Sequence, residues 1–533
     1  MGRERRPERS YRTLKLNQRR RELLKALGLA GLGFGLGMLT ERAIAHPQIE
    51  RYYLHKYSGV EPYSYTVFRE GDMYYAKNGK TGEVFEDDDA SEVMESAISS
   101  LPDTGGRIFI KSGDYRVSGN KTITLKSNVE IVGEGKETVL GSVDGRLTFK
   151  FDGVENVTLR NFTISNNDDP ANLGNTLYFT TNPCSNIQLH NLDFEGSIYR
   201  AITIAIDVDN LTVEKCTSLS SNVYYFIYAV SYVRNSRIEA CRIEDKQSSI
   251  YIRKAENLKV VKNWFINGAN KDLMGCVHIC NYETSSNIVI SENHFIFDTT
   301  PTERVFCILL SGEASTDYLL KDVVVSNNAF HIKEGVGGEV GTNGVYYCVY
   351  LHGVSSPLTR TVEEVLITNN SMRGDGFLVR GVMISIARRI DVHNNTINGT
   401  QYECIKEEYG ESVKIHNNIL HDWDRSGGGY SAINAPNSIV RHNLGYPTEN
   451  SGVATITGDG TTTTFTVDIP HGLAKDKVAC KITLDRDGSI DKVYLVDTEP
   501  DGFYETIRVQ VTYASAPASG EEVPIYWSAE VVE

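Results

Sequence analysis

The sequence predicts an all-β chain wound into a solenoid of stacked parallel coils, and two observations carry that prediction. An asparagine returns once per repeat, at Asn263, Asn293, Asn328, Asn370, Asn395, Asn418 and Asn443. Each lies three residues after a β-branched residue, namely Val260, Ile290, Val325, Ile367, Val392, Ile415 and Val440. A short polar residue that tolerates the left-handed backbone and recurs after a strand reads as the turn of a coil that stacks on itself. The same frame also extends backwards through Cys241, Cys216, Leu192 and Phe162, with successive spacings of 30, 24, 25, 22, 30, 35, 42, 25, 23 and 25 residues. One constant rung with a loop of variable length fits those spacings. Parallel strands lie about 4.8 Å apart, so stacked amides can hydrogen-bond to one another along the axis and form a satisfied polar layer.

From the N-terminus, residues 1–45 hold 11 Lys/Arg and 4 Asp/Glu, which leaves 65 acidic against 43 basic residues in the rest, a net of −22. So acidic a body repels nucleic acid and other polyanions unless a local basic patch or a bridging cation intervenes. No nucleic-acid partner is expected. Within the basic segment, Arg20-Arg21-Glu22-Leu23-Leu24-Lys25 precedes a glycine-rich apolar run to Leu39, and Ala43-Ile44-Ala45 follows as a small-x-small site. This pattern resembles a twin-arginine export signal, with leucine where phenylalanine is usual, and it implies contact with export machinery and a secreted or cell-surface location. The nine cysteines are an odd number, and a chain exported after folding meets a reducing compartment first, so disulfides are not the expectation.

Residues 46–81 form a Tyr-rich lead-in in which Asn78-Gly79 reads as a hairpin turn. Asp89 or Ser91 can then cap a short helix with Val93, Met94, Ala97 and Ile98 on one face, ended by Pro102 and Gly105-Gly106. Such a helix can plug the open end of a coil stack. That helix, the Gly-Gly turn, "RIFIKSGDYRV" and "ITLKSNVEIVGEG" together resemble the entry of the pectate-lyase-like right-handed parallel β-helix superfamily, tailspike-type members included. The resemblance covers roughly residues 82–447. It implies a right-handed, single-stranded parallel β-helix with three strands per coil and a broad association with polysaccharides, without by itself implying catalysis. Residues 450–533 change to alternating Thr/Val/Ile strands with Gly and Pro turns, which read as a small antiparallel β-sandwich. This segment is similar to domains that finish tail fibres and related β-helix proteins, and implies attachment or closure of a homotrimer.

Function is sought on the strand after each variable turn. Side chains alternate across a strand, so one outward column of the aligned repeats reads Tyr178, Thr203, Tyr228, Tyr251, His278, Leu309, Tyr350, Met383, Lys406 and Asn434. Its neighbour contains Arg253, Cys280, Ser311, His352, Ser385 and Glu408. Tyrosines, histidines and a few charges on a flat sheet, walled by loops near residues 268–275, 299–304 and 333–345, suit a sugar chain. Pyranose rings stack on aromatic faces and their hydroxyls need convergent polar partners. Tyr178, Tyr228, Tyr251 and Arg253 are therefore the substrate-binding candidates. His278, Tyr350, His352, Lys406 and Glu408 are the acid/base candidates.

Glycoside hydrolysis uses two carboxyls flanking a bond, whereas elimination from uronates uses a base and a neutralising cation, so Ca2+ is a possible cofactor if the substrate is acidic. Glu403, Glu407 and Glu408, with Asp422 and Asp424, supply the best carboxyl group set; Glu407 falls in an inward column, so either the strand ends there in solvent, which is the expectation, or the carboxyl points inward with a raised pKa. The chain lacks the Asn-Thr-Asp and Gly-His-Gly patterns of polygalacturonases, and the calcium-binding aspartate set of pectate lyases, so no catalytic residue transfers by motif. Cys276, His278 and Cys280 would face one way, yet the cysteine column also holds Thr176, Ala201 and Ser249, so small-residue packing explains it without a metal. Two functions follow: a polysaccharide lyase or glycoside hydrolase, or a non-catalytic adhesin or tailspike-like fibre.

Overall fold

The computed structural model describes residues 63–531, apart from 168–173, 220–222, 245–247, 268–273, 300–303, 313–317, 334–343, 354–360, 437, 474–477, 485–486 and 497–505. The export-signal segment, the first part of the lead-in and most of the loops expected to wall the sugar-binding face lie outside these residues. Among the described residues no helix is long and apolar enough to cross a membrane.

Thirty-five of the described strands join in one hydrogen-bonded network, and its coils repeat the same three strands. One coil runs Met274–Cys280, Ser285–Ser291 and His294–Phe297; each pairs in parallel with its counterpart in the next coil, Arg304–Ser311, Leu320–Ser326 and Ala329–Ile332. Inward residues of all three sheets, such as Val277, Ile279, Ile288, Ile290, Phe295 and Phe297, form one continuous core. Identical positions in successive coils stack directly, as Phe265, Phe295 and Phe330 show, with centroids 4.8 and 4.7 Å apart. Apolar burial at every rung supplies the driving force, on the order of 25 cal/mol per Å2 of apolar surface.

The asparagine column occupies the turn between the second and third strands. Asn263 Nδ2 donates to Asn293 Oδ1 at 3.0 Å, and the chain of amides continues through Asn328, Asn370, Asn395 and Asn418 to Asn443 at 2.9–3.0 Å. Each of those oxygens also accepts the backbone N–H of the previous asparagine, and each Nδ2 donates to a carbonyl of the preceding coil, such as Val260 O or Ile290 O. A buried amide with every group satisfied costs little, whereas one left without partners costs about 1–3 kcal/mol per group.

The backbone corrects one expectation. The column asparagines are not the left-handed residues; the residue before each is, from Lys262 (φ 58°) and Glu292 (57°) to Asn417 (55°) and His442 (52°). The chain reverses one position earlier, on the exposed surface, and this frees the asparagine to aim its amide inward. A second amide ladder runs on the exposed side through Asn128, Asn156, Asn186 and Asn210 at 2.8–3.0 Å, and these residues are left-handed themselves.

Before the coils, Tyr65–Glu70, Met73–Asn78 and Val84–Asp87 form an antiparallel sheet. Its last turn is held by Asn78 Oδ1, which accepts the N–H groups of Lys80 and Thr81. A helix, Ala90–Ser99, follows; Asp89 caps it by accepting the Ser91 N–H at 2.8 Å, and Val93, Met94, Ala97 and Ile98 join the coil core. After the coils, Glu449–Thr457, Glu522–Val531 and Val478–Leu484 form one antiparallel sheet, and Thr464–Pro470, Thr506–Tyr513 and Gly488–Val496 form another. The two share a separate core that includes Ile469, Ile507, Val509 and Ile525.

Replacing Asn370 by alanine removes the acceptor of both the Asn328 N–H and its Nδ2. A stability loss of roughly 2–4 kcal/mol is expected from chemical denaturation. An unchanged midpoint would mean that water fills the gap and the amides add nothing.

Candidate functional site

The outward column is assembled strand by strand by the register of the first sheet. Tyr178 pairs with Thr203, Thr203 with Tyr228, Tyr228 with Tyr251, and Tyr251 with His278. The pairing continues from His278 to Leu309, Tyr350, Met383, Lys406 and Asn434. Cys280, Ser311 and His352 align beside it. Residues between these positions, such as Ile252, Val277, Ile308 and Leu351, point into the coil core, so the alternation of the strand separates core from site.

The column divides into two aromatic clusters. In the first, Tyr199, Tyr224, Tyr225, Tyr228, Tyr251 and Tyr282 pack together outside the coil core. Tyr228 and Tyr251 stack with centroids 5.4 Å apart and 15° between planes. Arg200 lies 4.0 Å over the Tyr228 ring; Arg253 lies 4.6 Å over Tyr282 and its Nε donates to Tyr251 Oη at 3.2 Å. Burial pushes the Tyr225 phenol up to about 12, against the pull of both guanidiniums. Tyr178 shares the column but lies outside this cluster.

The second cluster holds the acid/base candidates. Tyr347, Tyr350 and Tyr402 pack with Phe306, Leu309, Tyr346 and Val379. Tyr350 Oη contacts His352 Nδ1 at 2.9 Å, and Lys406 Nζ lies 3.0 Å from Glu408 Oε1. Burial, the Tyr347 phenol and the Glu408 carboxylate push Tyr350 up to about 12, with only partial relief from a Ser385 hydrogen bond. Its phenol stays protonated well beyond neutral pH, and which of Tyr350 and His352 donates is set by the imidazole tautomer. Tyr347 is raised for the same reason, burial, offset in part by Arg380.

Arg380 is the residue that sequence reasoning missed. It follows Tyr347 in register, its Nε donates to Glu403 Oε2 at 2.7 Å, and its guanidinium sits 5.1 Å over Tyr402. Asn434 Nδ2 reaches the other Glu403 oxygen at 3.3 Å. Both members of the ion pair are buried. An arginine at the first position of a strand, beside a glycine, carried no periodic signal that would have marked it.

Several expectations are corrected here. His278 stays apart from the acid/base cluster: it is buried, stands edge-on to Tyr251 and is 2.8 Å from Ser311 Oγ. Cys276 does not face the same way as His278 and Cys280; it belongs to the coil core with Cys307 and Cys348, while Cys280 Sγ lies 3.2 Å from His278 Nε2. Glu407 is no solvated strand end. The strand Ile405–Glu411 continues through it, and its buried carboxylate accepts the Gly410 N–H and the Ser438 hydroxyl. Of the other carboxylates, Glu403 is bound by Arg380, Asp422 by Arg425, and Asp424 by the N–H groups of Gly428 and Gly429. Glu408 thus remains the one partly exposed carboxylate beside Tyr350 that also touches a lysine. All nine cysteines are free thiols.

Comparison with known proteins agrees with this geometry. Residues 143–295 match the family described as the right-handed β-helix region. A double mutant of the tailspike protein of E. coli bacteriophage HK620 superposes with TM-score 0.51 at 14% identity, covering 83% of this chain and 90% of that one. The fold is a right-handed parallel β-helix. Two single mutants of the same tailspike, in complex with pentasaccharide, give TM-score 0.49 at 14% identity over the same shares. Mannuronan C5-epimerase AlgE2 of Azotobacter vinelandii is 39% identical over 64 residues, which is 11% of this chain and 6% of the epimerase.

Two outcomes test the site. Tyr225, Tyr350 and Tyr446 are held up to about 12, whereas an unfolded tyrosine titrates near about 10. Below pH 10 both states keep the proton; between about 10 and 12 only the folded state does, so stability falls as pH rises through that window. Tyr350→Phe should flatten the decline in urea midpoint against pH; an identical slope would contradict the burial. Arg380→Leu strands Glu403 and should cost about 3–5 kcal/mol, while Arg380→Leu with Glu403→Leu should recover most of it. A double variant as unstable as the single one would show that packing, not charge, holds this corner.

Proposed function

We propose that the protein is an exported β-helix protein that binds polysaccharide along the outward face of its first sheet and acts on it at Tyr350, His352, Lys406 and Glu408. The observation that supports this most directly is a pair of side-chain contacts on one sheet face, Tyr350 with His352 and Lys406 with Glu408, on strands two coils apart at the end of an aromatic stripe. A sugar chain lying along the stacking axis would cross one strand about every 4.8 Å, resting on Tyr228 and Tyr251 before it reaches Tyr350. Tyr350, which retains its proton, would serve as the proton donor to a leaving oxygen, oriented by His352. The Glu408 carboxylate would accept a proton, and Lys406 would neutralise charge that develops on the sugar.

With Glu403 engaged by Arg380, no pair of accessible carboxyls of the kind that hydrolysis uses is assembled around Glu408 among the described residues. Proton abstraction, as in a lyase or an epimerase, is therefore the chemistry this set favours. The short match to a mannuronan epimerase adds support for a glycan substrate. An acidic polymer approaching the net-negative body needs counter-charge, which a bridging calcium ion or the protein's own guanidiniums would supply. In this proposal the N-terminal segment directs export to the surface or exterior, the helix Ala90–Ser99 closes one end of the stack, and the two C-terminal sheets form a sandwich that attaches or trimerises the chain. The second reading is a non-catalytic adhesin, which the ion pairing of Lys406 with Glu408 would suit.

Incubation with neutral and acidic polysaccharides, following new reducing ends and unsaturated uronate absorbance, tests the assignment. Turnover that falls at least about 100-fold in Glu408→Gln and in His352→Ala is the expected result. Binding without turnover on every polymer would establish the adhesin. Light scattering gives the solution mass, and a monomer would remove the trimer from the proposal.

A further inference from the structure

We propose that Arg200 and Arg253 form a subsite for an anionic substituent on the sugar chain, so that the face selects a carboxylate- or sulfate-bearing glycan at a point three or more strands away from the reacting groups. This rests on the glycan-binding face proposed above and assigns the class of its ligand.

The pairing pattern of the arginines carries the inference. Elsewhere on the coils a guanidinium meets a carboxylate: Arg234 with Asp207, Arg237 with Glu239, Arg380 with Glu403, Arg388 with Glu363. In a chain with net charge −15 that is the expected arrangement. Arg200 and Arg253 have no carboxylate within ion-pair distance among the described residues. Arg200 instead rests on the rings of Tyr199 and Tyr228, at 4.8 and 4.0 Å, and its Nε has no hydrogen-bond partner there. Arg253 rests on Tyr251 and Tyr282, and its Nε donates to the Tyr251 hydroxyl.

Geometry places both charges at one ligand. Arg200 pairs in register with Tyr225, and Tyr225 with Ser248 on the strand that carries Arg253. The two residues are thus two coils apart, roughly 10 Å along the axis, and five positions apart along the strand direction, roughly 16 Å, so that their backbones stand on opposite sides of the Tyr228–Tyr251 stack. Both are half-buried and already desolvated on one side by aromatic rings, which strengthens a charge-assisted hydrogen bond to an incoming oxyanion. Guanidinium also matches carboxylate or sulfate in a bidentate fork, while the tyrosine faces take the sugar rings. Two cations at that spacing would meet charges on separate sugars of one chain, a requirement that a neutral or singly charged oligosaccharide cannot fulfil.

Calorimetry on the whole protein, with a hexuronate oligomer, its carboxyl-reduced counterpart and a sulfated oligomer, in calcium and in chelator, tests this. The hexuronate or the sulfated oligomer should bind at least about tenfold tighter than the reduced one, with affinity falling as salt rises. Arg200→Gln with Arg253→Gln should abolish that preference, and Arg200→Lys with Arg253→Lys should retain part of it. Whichever oligomer depends on the arginines names the oxyanion. Equal binding of charged and reduced oligomers, or a preference that persists in the glutamine variant and vanishes in chelator, would overturn the subsite while leaving the glycan-binding face intact. Failure of all three oligomers to bind a protein with unchanged circular dichroism would remove both.

Discussion

Vertical register is the constraint on which the rest of this molecule depends. A coil has no stable meaning alone; its apolar residues are covered only when the next coil lies in phase above it. The buried amide column enforces that phase, because each Asn side chain reaches the next at 2.9–3.0 Å and a slip of one residue would leave every amide facing hydrocarbon. Stacked phenylalanines impose the same alignment through contact, but a ring tolerates a sliding neighbour more readily than a hydrogen bond does. The loops can vary in length because register is set in the turns and strands.

Function inherits this alignment. On the outward side of the first sheet, residues separated by twenty to forty positions in sequence become neighbours one strand apart, which is how Tyr251 comes to stand beside His278 and Leu309 beside Tyr350. A repeat that keeps its inward residues apolar is free to change its outward ones, and here that freedom yields an aromatic stripe with different charges at its two parts. Around Tyr228 the charges are guanidiniums supported on rings. Around Tyr350 they are a phenol, an imidazole and a Lys–Glu pair, with the buried Arg380–Glu403 pair fixing the strand beneath. The sheet holds these two parts at a fixed distance along the stacking axis.

Burial shapes the chemistry more than proximity does. Desolvation, the Tyr347 phenol and the Glu408 carboxylate all disfavour the Tyr350 phenolate. His278, close in register and equally suitable by residue type, is withdrawn because Tyr251 and its neighbours cover it. Glu407 and Glu403 are carboxylates that a count of acids would place in the site, yet one is turned into the coil and the other is held by arginine.

The periodic text by itself determined the winding, the inward and outward positions and the membership of the outward column, since strand alternation and a fixed repeat leave little choice once phase is set. The asparagine ladder was legible for the same reason, although the left-handed residue proved to be its neighbour, a distinction that spacing does not contain. Only the tertiary structure decided which column members touch. The contacts of Tyr350 with His352 and of Lys406 with Glu408, the separation of His278 and Cys276 from them, and the placing of Arg380, Arg200 and Tyr225 all depend on side-chain direction and on what covers each group. Those are set by packing between coils, and no single repeat encodes them.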